Sequence, residues 1–113
     1  MVQEREVRRI TEKHLDEVGR LNVATEIIIG TKPGEPAQAF YVAKKDFSEE
    51  RTVNPNYREL LRAGSRFENA LWQAGLRVFV SSVNPSQLDD FLADCSRKGW
   101  EIARLPIPQP QMS

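Results

Sequence analysis

Two Asn-Pro dipeptides constrain the fold of this chain more than any other feature, because an apolar periodic segment, a glycine and a short β-branched run follow each of them. Asn54-Pro55 and Asn84-Pro85 can each open a helix, since Asn is a preferred N-cap and Pro is favoured at the first helical position. Gly75 and Gly99 supply the C-terminal stops. Strands are predicted directly after them, over residues 76–80 and 100–105. The pattern therefore predicts two consecutive helix-turn-strand units.

The first half of the chain predicts a helix and a hairpin. Residues 4–24 are rich in Glu and Arg and carry apolar residues near one helical stripe, which indicates an amphipathic helix. A second interpretation places a short strand over residues 6–10 and a helix over residues 12–21 with Thr11 as its N-cap. Residues 26–29 and 39–43 flank a turn containing Pro and Gly, and they predict the two strands of a hairpin.

Together these elements predict an α+β fold, with helices packed on a mixed, mostly antiparallel sheet of four or five strands. The strand-helix-strand unit over residues 76–105 should form parallel strands with a right-handed crossover, and a ferredoxin-like arrangement is the competing topology. The predicted core consists of Ile28, Phe40, Val42, Leu61, Phe67, Leu71, Val78, Val80, Leu88, Phe91, Leu92, Trp100 and Ile102. Residues 1–105 form the predicted domain, and residues 106–113 are expected as a frayed, Pro-rich tail.

Composition narrows the classes of function. The 113 residues include 16 basic and 16 acidic side chains, so the formal charge is zero, which argues against a binder of bulk polyanions. No apolar run approaches the ~20 residues of a membrane span. The first twenty residues lack the apolar stretch of a signal peptide, so a cytoplasmic protein without a membrane partner is expected. The single cysteine, Cys95, allows no internal disulfide, and no metal site is expected.

The most suggestive charge feature is an arginine stripe formed by Arg58, Arg62 and Arg66. In a continuous helix these residues line up on one face, and Arg recognises phosphate or carboxylate groups by bidentate hydrogen bonds. The stripe is therefore a candidate site for a nucleotide, a coenzyme or a nucleic-acid backbone. The alternative is a solvated face paired with Glu59 and Glu68.

No residue pattern predicts catalysis. Cys95 shares a helical face with Leu88, Phe91 and Leu92, which is typical of a small buried apolar residue rather than a nucleophile. His14 is the only histidine and has charged neighbours, so a solvated or partly packed imidazole is expected. Walker loops, dinucleotide glycine patterns, nucleophile elbows and paired-His zinc motifs are all absent from the sequence. The catalytic residues are therefore unknown, and the sequence favours a protein without catalytic activity.

Three segments, over residues 7–21, 53–58 and 76–101, resemble the GCN5-related N-acetyltransferase family. The resemblance implies an acetyl-CoA site, in which the pyrophosphate rests on backbone N–H groups at a helix start. Carried onto this chain, the site would consist of Tyr57, Arg58, Arg62, Gly64, Ser65 and Arg66. Only Gly64 fits the glycine pattern, because Glu59 stands where the family has Arg or Gln and Arg62 where it has its first Gly. The activity implied is acyl transfer.

The leading prediction is a small non-catalytic binding or regulatory module that acts through protein-protein or small-ligand contacts and needs no cofactor. We expect it to be oligomeric, because the amphipathic N-terminal segment can pack against a second copy or a protein partner. The alternatives are an acyl-CoA-binding protein like the N-acetyltransferases, with acetyl-CoA as cofactor, and a nucleic-acid-binding protein that uses the arginine stripe.

Overall fold

A computed structural model of the chain describes residues 2–109. The elements follow in the order α1 (Glu4–Leu21), β1 (Ala24–Thr31), β2 (Ala37–Ala43), α2 (Phe47–Val53), α3 (Pro55–Gln73), β3 (Val78–Val83), a 3-10 turn (Pro85–Gln87), α4 (Leu88–Arg97) and β4 (Glu101–Pro106). The predicted α+β class is confirmed, with four helices among the described residues and one four-stranded sheet.

The sheet has the strand order β3-β2-β1-β4. β1 is antiparallel to both β2 and β4, and β2 is parallel to β3, so the sheet is mixed and mostly antiparallel as predicted. β3 and β4 run in the same direction, as predicted for the strands of the 76–105 unit, but they lie at opposite edges of the sheet and do not pair with each other. The hairpin strands β1 and β2 are apolar on both faces and occupy the centre of the sheet. The element order also differs from the β-α-β-β-α-β order of a ferredoxin-like fold.

The N-terminal segment is one helix, which decides between the two interpretations of its sequence. The hydroxyl of Thr11 donates to the carbonyl of Val7 at 2.7 Å inside α1, so Thr11 does not cap a shorter helix. α1 ends at Asn22, whose left-handed backbone (φ 57°) is a conformation that Asn tolerates better than most residues. The apolar stripe of α1 packs on α3 and the sheet, and it is therefore not free to cover a second copy.

The two Asn-Pro dipeptides behave differently. Asn54 caps α3 as predicted, because its side chain accepts a hydrogen bond from the backbone N–H of Asn56 at 3.0 Å. Asn84 makes no cap, and only a 3-10 turn follows it before α4. Its side chain turns instead to α2, where Oδ1 accepts from the N–H of Phe47 at 2.8 Å and Nδ2 donates to Asp46. Asn84 thus ties the end of β3 to the start of α2.

The main core lies between the sheet and the helices α1 and α3. Alternate residues of β2 point into it, and its largest fully buried side chains include Tyr41, Tyr57, Leu60 and Leu71. Leu61, which was predicted in the core, is 48% exposed, because the buried stripe of α3 passes through Leu60. Phe67 and Leu71, the other residues of α3 in the predicted core, are buried.

The opposite face of the sheet carries a smaller cluster under α4. Among the predicted core residues, Ile28 and Val42 are fully buried there, while Phe40, Leu88, Phe91, Leu92, Trp100 and Ile102 are half-buried. No residue of α4 is fully buried. One short helix covers the width of this face, so the layer is open at its sides.

The described part of the Pro-rich segment does not form the expected free tail. Ile107 is 3% exposed, and its N–H donates to the carbonyl of Thr25 at 3.0 Å. Gly19 of α1 allows this approach, since a Cβ there would lie 2.4 Å from the carbonyl oxygen of Pro108. Residues 110–113, where the rest of the predicted tail falls, lie outside the described residues. Within the described range, no helix is long and apolar enough to cross a membrane.

Candidate functional site

A cleft between α1 and α3 brings together the chain's only histidine and three cationic side chains. It has a volume of about 230 Å³, and its lining includes Arg9, Lys13, His14, Glu17, Arg66 and Phe67. We call it the α1–α3 cleft.

The antiparallel packing of the two helices builds this cleft. Backbone and side-chain bonds tie the start of α1 to the end of α3, through the N–H of Gln3 and the carbonyl of Ala74 at 3.0 Å. They also tie the end of α1 to the start of α3, through Asn56 Nδ2 and the carbonyl of Leu21 at 3.0 Å. The i, i+4 spacing of the helix then repeats cleft-lining positions along α1, with Lys13 one turn before Glu17.

His14 is the centre of the cleft floor, and it is 3% exposed. Its Nε2 lies 2.6 Å from the hydroxyl of Tyr41, which reaches up from β2. Its ring stacks on Phe67 of α3, with ring centroids 4.0 Å apart and planes 5° from parallel. The sequence predicted a solvated or partly packed imidazole, and the structure instead holds the ring on two sides.

One hydrogen bond joins the side chains of His14 and Tyr41, and the tautomer of the neutral imidazole sets its direction. In the tautomer with the ring proton on Nδ1, the Tyr41 hydroxyl donates to Nε2 of His14; in the tautomer with the proton on Nε2, the hydroxyl accepts. Nδ1 of His14 has no hydrogen-bond partner among the described residues. Every fully buried polar side-chain atom in that range does have one, so Nδ1 is not fully buried. In the first tautomer, Nδ1–H is a donor at the α1–α3 cleft, which the ring lines.

Burial sets the charge state of this pair. Loss of solvent lowers the pKa of His14 from 6.5 to about 4, with Glu17 acting in the opposite direction and Arg66 in the same direction. Burial likewise raises the pKa of the Tyr41 hydroxyl well above its ordinary value of 10. At neutral pH both side chains are therefore uncharged, and the ring is an imidazole rather than an imidazolium.

The cations around the ring differ in how they are paired. Arg66 donates to Glu17 across the two helices and to Glu59 at 3.2 Å within α3, and Arg9 pairs with Glu6. Lys13 makes no hydrogen bond or ion pair with the described residues, and it is exposed at the mouth of the cleft. The carboxylate of Glu17 is neutralised by Arg66, so Lys13 leaves a local excess of positive charge.

The predicted site residues all lie on α3, and two of them, Gly64 and Ser65, line a separate pocket together with Tyr41. Tyr57 and Gly64 are buried, and Gly64 is the point where α3 crosses Tyr41. Ser65 Oγ donates to a backbone carbonyl within the helix, at 3.3 Å. Arg58 and Arg62 are exposed on the outer surface of the helix. Of the six, only Arg66 lines the α1–α3 cleft.

The ion pairs of the arginine stripe agree in part with the alternative interpretation, a solvated face paired with Glu59 and Glu68. Glu59 accepts from Arg62 at 3.3 Å as well as from Arg66, so the predicted pairing with Glu59 is confirmed. Glu68 instead accepts from the backbone N–H of Val80 at 2.6 Å, and it pairs with no arginine in the described part of the chain. Cys95 is half-buried on α4, and burial raises the pKa of its thiol, which disfavours the thiolate.

Sequence reasoning missed Tyr41, Lys13 and Arg9 as members of one site. One signal pointed to the cleft: His14 follows the apolar residues Val7 and Ile10 at helical spacing, so its side chain falls on the buried stripe of α1. No pattern in the sequence indicated that Tyr41 on β2 would be its partner. The described residues contain no group of His, Cys, Asp and Glu that could hold a metal ion.

No family model, curated protein or solved structure matches this chain.

Proposed function

We propose that this protein is a non-catalytic binding module that takes the oxyanion group of a small ligand, a phosphate or a carboxylate, in the α1–α3 cleft. The observation that supports it is the neutral imidazole of His14 on the cleft floor, whose Nε2 is bonded to Tyr41 and whose Nδ1 is not fully buried. We assign the ring proton to Nδ1. Lys13 stands at the mouth without a partner among the described residues. A neutral N–H donor combined with a free ammonium provides charge-assisted recognition of an oxyanion.

The arrangement favours binding over catalysis. A general base near neutral pH needs a pKa near the working pH, whereas the pKa of His14 lies at about 4. Its Nε2 is engaged with the Tyr41 hydroxyl, and with the ring proton on Nδ1, as we propose, no basic nitrogen is free for a substrate. The pair is therefore suited to hold one donor in a fixed direction.

The test is calorimetric titration with inorganic phosphate, acetate and acetyl-CoA at constant ionic strength. Lys13→Met should weaken phosphate binding by about tenfold, because it removes the unpaired charge and keeps the length of the side chain. Arg8→Met is the matched control, since Arg8 is an exposed cation on α1 that does not line the cleft. Binding that is equal in both variants, or absent in the wild type, would overturn the proposal.

Acetyl-CoA and nucleic acid are separate arms of the same experiment. An acyl-CoA-binding protein would bind acetyl-CoA far more tightly than phosphate, and it would lose that affinity on Arg58→Ala or Arg62→Ala. Nucleic-acid binding through the arginine stripe would give an affinity that falls steeply with salt. Our proposal expects acetyl-CoA to bind only through its phosphates, with the same dependence on Lys13.

We also propose self-association through the edge of β3. This strand has no charged side chain, whereas β4 at the other edge carries Glu101 and Arg104, and charged residues are a common protection of sheet edges. Phe79 lies on β3 and Trp72 on α3, and they are 43% and 70% exposed. The guanidinium of Arg77 lies 5.2 Å from the centre of the Phe79 ring. Antiparallel pairing of β3 with its copy about a two-fold axis would join two sheets and cover both aromatic rings.

Glu68 opposes this pairing in a way that can be measured. Its carboxylate holds the outward N–H of Val80, and two copies would bring two such carboxylates close to the axis. Light scattering after size exclusion should therefore show a dimer that Glu68→Gln strengthens and Trp72→Lys weakens. Val53→Lys is the control, because Val53 is an equally exposed apolar residue on α2. A 12.9 kDa monomer at millimolar concentration would contradict self-association.

A further inference from the structure

A second cavity lies on the opposite face of the sheet, under α4, and nothing in the α1–α3 cleft accounts for it. Its volume is about 240 Å³, and aromatic or aliphatic side chains form most of its walls: Phe40, Phe91, Trp100 and Ile102. We call it the α4 pocket. Phe40 and Tyr41 are adjacent on β2 and point to opposite faces, so the pocket and the cleft are independent.

The walls are arranged to accept a flat ring. Phe40 and Phe91 meet edge to face, with ring centroids 4.6 Å apart and planes at 64°. Gly30 lets the indole of Trp100 lie close to β1, since a Cβ there would be 3.4 Å from the ring and 3.5 Å from Ile102. For comparison, an engineered cavity of about 150 Å³ lined by apolar side chains holds benzene. The α4 pocket is therefore large enough for one or two fused rings.

Two polar groups in the pocket lack a hydrogen-bond partner in the described part of the chain. These are the side-chain amide of Gln38 and the indole N–H of Trp100. Neither is fully buried, because every fully buried polar side-chain atom in that range is satisfied. Asp94 at the rim is already engaged by Lys98 at 2.9 Å and Arg97 at 3.0 Å. Lys98 also lines the pocket and is held by its ion pair with Asp94, so the unpaired polar groups there are the amide of Gln38 and the indole N–H of Trp100.

We infer that the α4 pocket binds a planar heteroaromatic ring of purine size, which stacks on its aromatic walls and pairs its hydrogen-bonding edge with Gln38. An amide offers a donor and an acceptor side by side, which matches the N6 and N7 edge of adenine. Stacking of a base on an aromatic side chain contributes about 1–3 kcal/mol. A purely apolar ligand would leave the amide of Gln38 unpaired on binding, which is unfavourable.

The probe is adenine, and the reporter is the fluorescence of Trp100 in a Trp72→Phe background. That substitution removes the second tryptophan, which is 70% exposed and lies on α3 outside the pocket. Adenine should quench the fluorescence saturably, and it should slow the alkylation of Cys95, whose side chain also lines the pocket. Quenching without protection of Cys95 would place the ring elsewhere and overturn the inference.

Gln38→Leu tests the polar edge. The substitution keeps the size of the side chain and suits a strand, and circular dichroism checks that the variant folds. It should weaken adenine binding at least tenfold and leave the binding of naphthalene unchanged. Gln87→Leu is the matched control, because Gln87 is exposed and does not line the pocket. If naphthalene binds and adenine does not, or if Gln38→Leu has no effect on adenine, the inference is wrong.

Discussion

Lowering the pH from 7 to 5 should destabilise the fold by about 2 kcal/mol through His14 alone. The pKa of His14 falls from 6.5 in the unfolded chain to about 4 in the fold, because burial disfavours the imidazolium. As the pH drops below 6.5, the unfolded chain therefore takes up a proton that the folded protein does not. The stability from this group is complete above pH 6.5, and it is lost progressively as the pH approaches 4, where the loss reaches about 3 kcal/mol.

The measurement is urea unfolding followed by circular dichroism at pH 7, 6 and 5. The reference protein is the double variant His14→Phe/Tyr41→Phe, which removes both partners of the buried hydrogen bond and so leaves neither unsatisfied. Its phenyl ring can keep the stack on Phe67. The wild type should lose about 2 kcal/mol more than this variant between pH 7 and pH 5.

Tyr41→Phe alone provides the second comparison, because it keeps the titrating ring in its buried position. It should show the pH dependence of the wild type. The carboxylates that titrate in the same range are common to all three proteins, so they cancel in the difference. Parallel stability curves for the wild type and the double variant would refute the reasoning, since they would mean that His14 is solvated in the fold.

Two further predictions concern glycines at close approaches. Gly64→Ala should destabilise the fold by about 1–2 kcal/mol despite the higher helix propensity of Ala, because the new Cβ would lie 3.1 Å from Val80 and 3.2 Å from the Tyr41 hydroxyl. Urea unfolding checks this, and a stabilised variant would contradict it. Gly19→Ala should release the segment after β4, because its Cβ would lie 2.4 Å from the carbonyl oxygen of Pro108. Hydrogen exchange at the backbone N–H of Ile107 should then accelerate. Unchanged protection of that N–H would contradict the contact.

The sequence predicted the local elements well, because their signals are local. Asn54 and Pro55 marked the start of α3 correctly, and the β-branched runs on either side of residues 32–36 gave the hairpin. Residues 44–53 were only a charged connection in the sequence. In the structure they hold the short helix α2, which Asp46 caps through the N–H groups of Ser48 and Glu49. An Asp at an N-cap position is a helix signal, but the residues after it lack the apolar period of an amphipathic helix, so the sequence did not predict α2.

Strand order and the site depended on non-local contacts. Nothing in the sequence of β3 or β4 states that the hairpin separates them, and pairing between successive strands is the more common outcome. The partnership of His14 with Tyr41 joins residues 27 apart in the chain, on elements whose packing is not encoded in either local pattern. The arginine stripe was correct as a helix face, but only its last member lies beside the buried ring.

The most direct test of the proposed binding site is the nitrogen NMR spectrum of the imidazole in histidine-labelled protein. The chain has a single histidine, so the spectrum contains only the two ring nitrogens of His14. We predict a neutral ring at pH 6 with the proton on Nδ1 and an acceptor Nε2. Added phosphate should shift Nδ1 in the wild type and in Arg8→Met, but much less in Lys13→Met. A proton on Nε2, or ring resonances that phosphate does not move, would contradict oxyanion binding in the α1–α3 cleft.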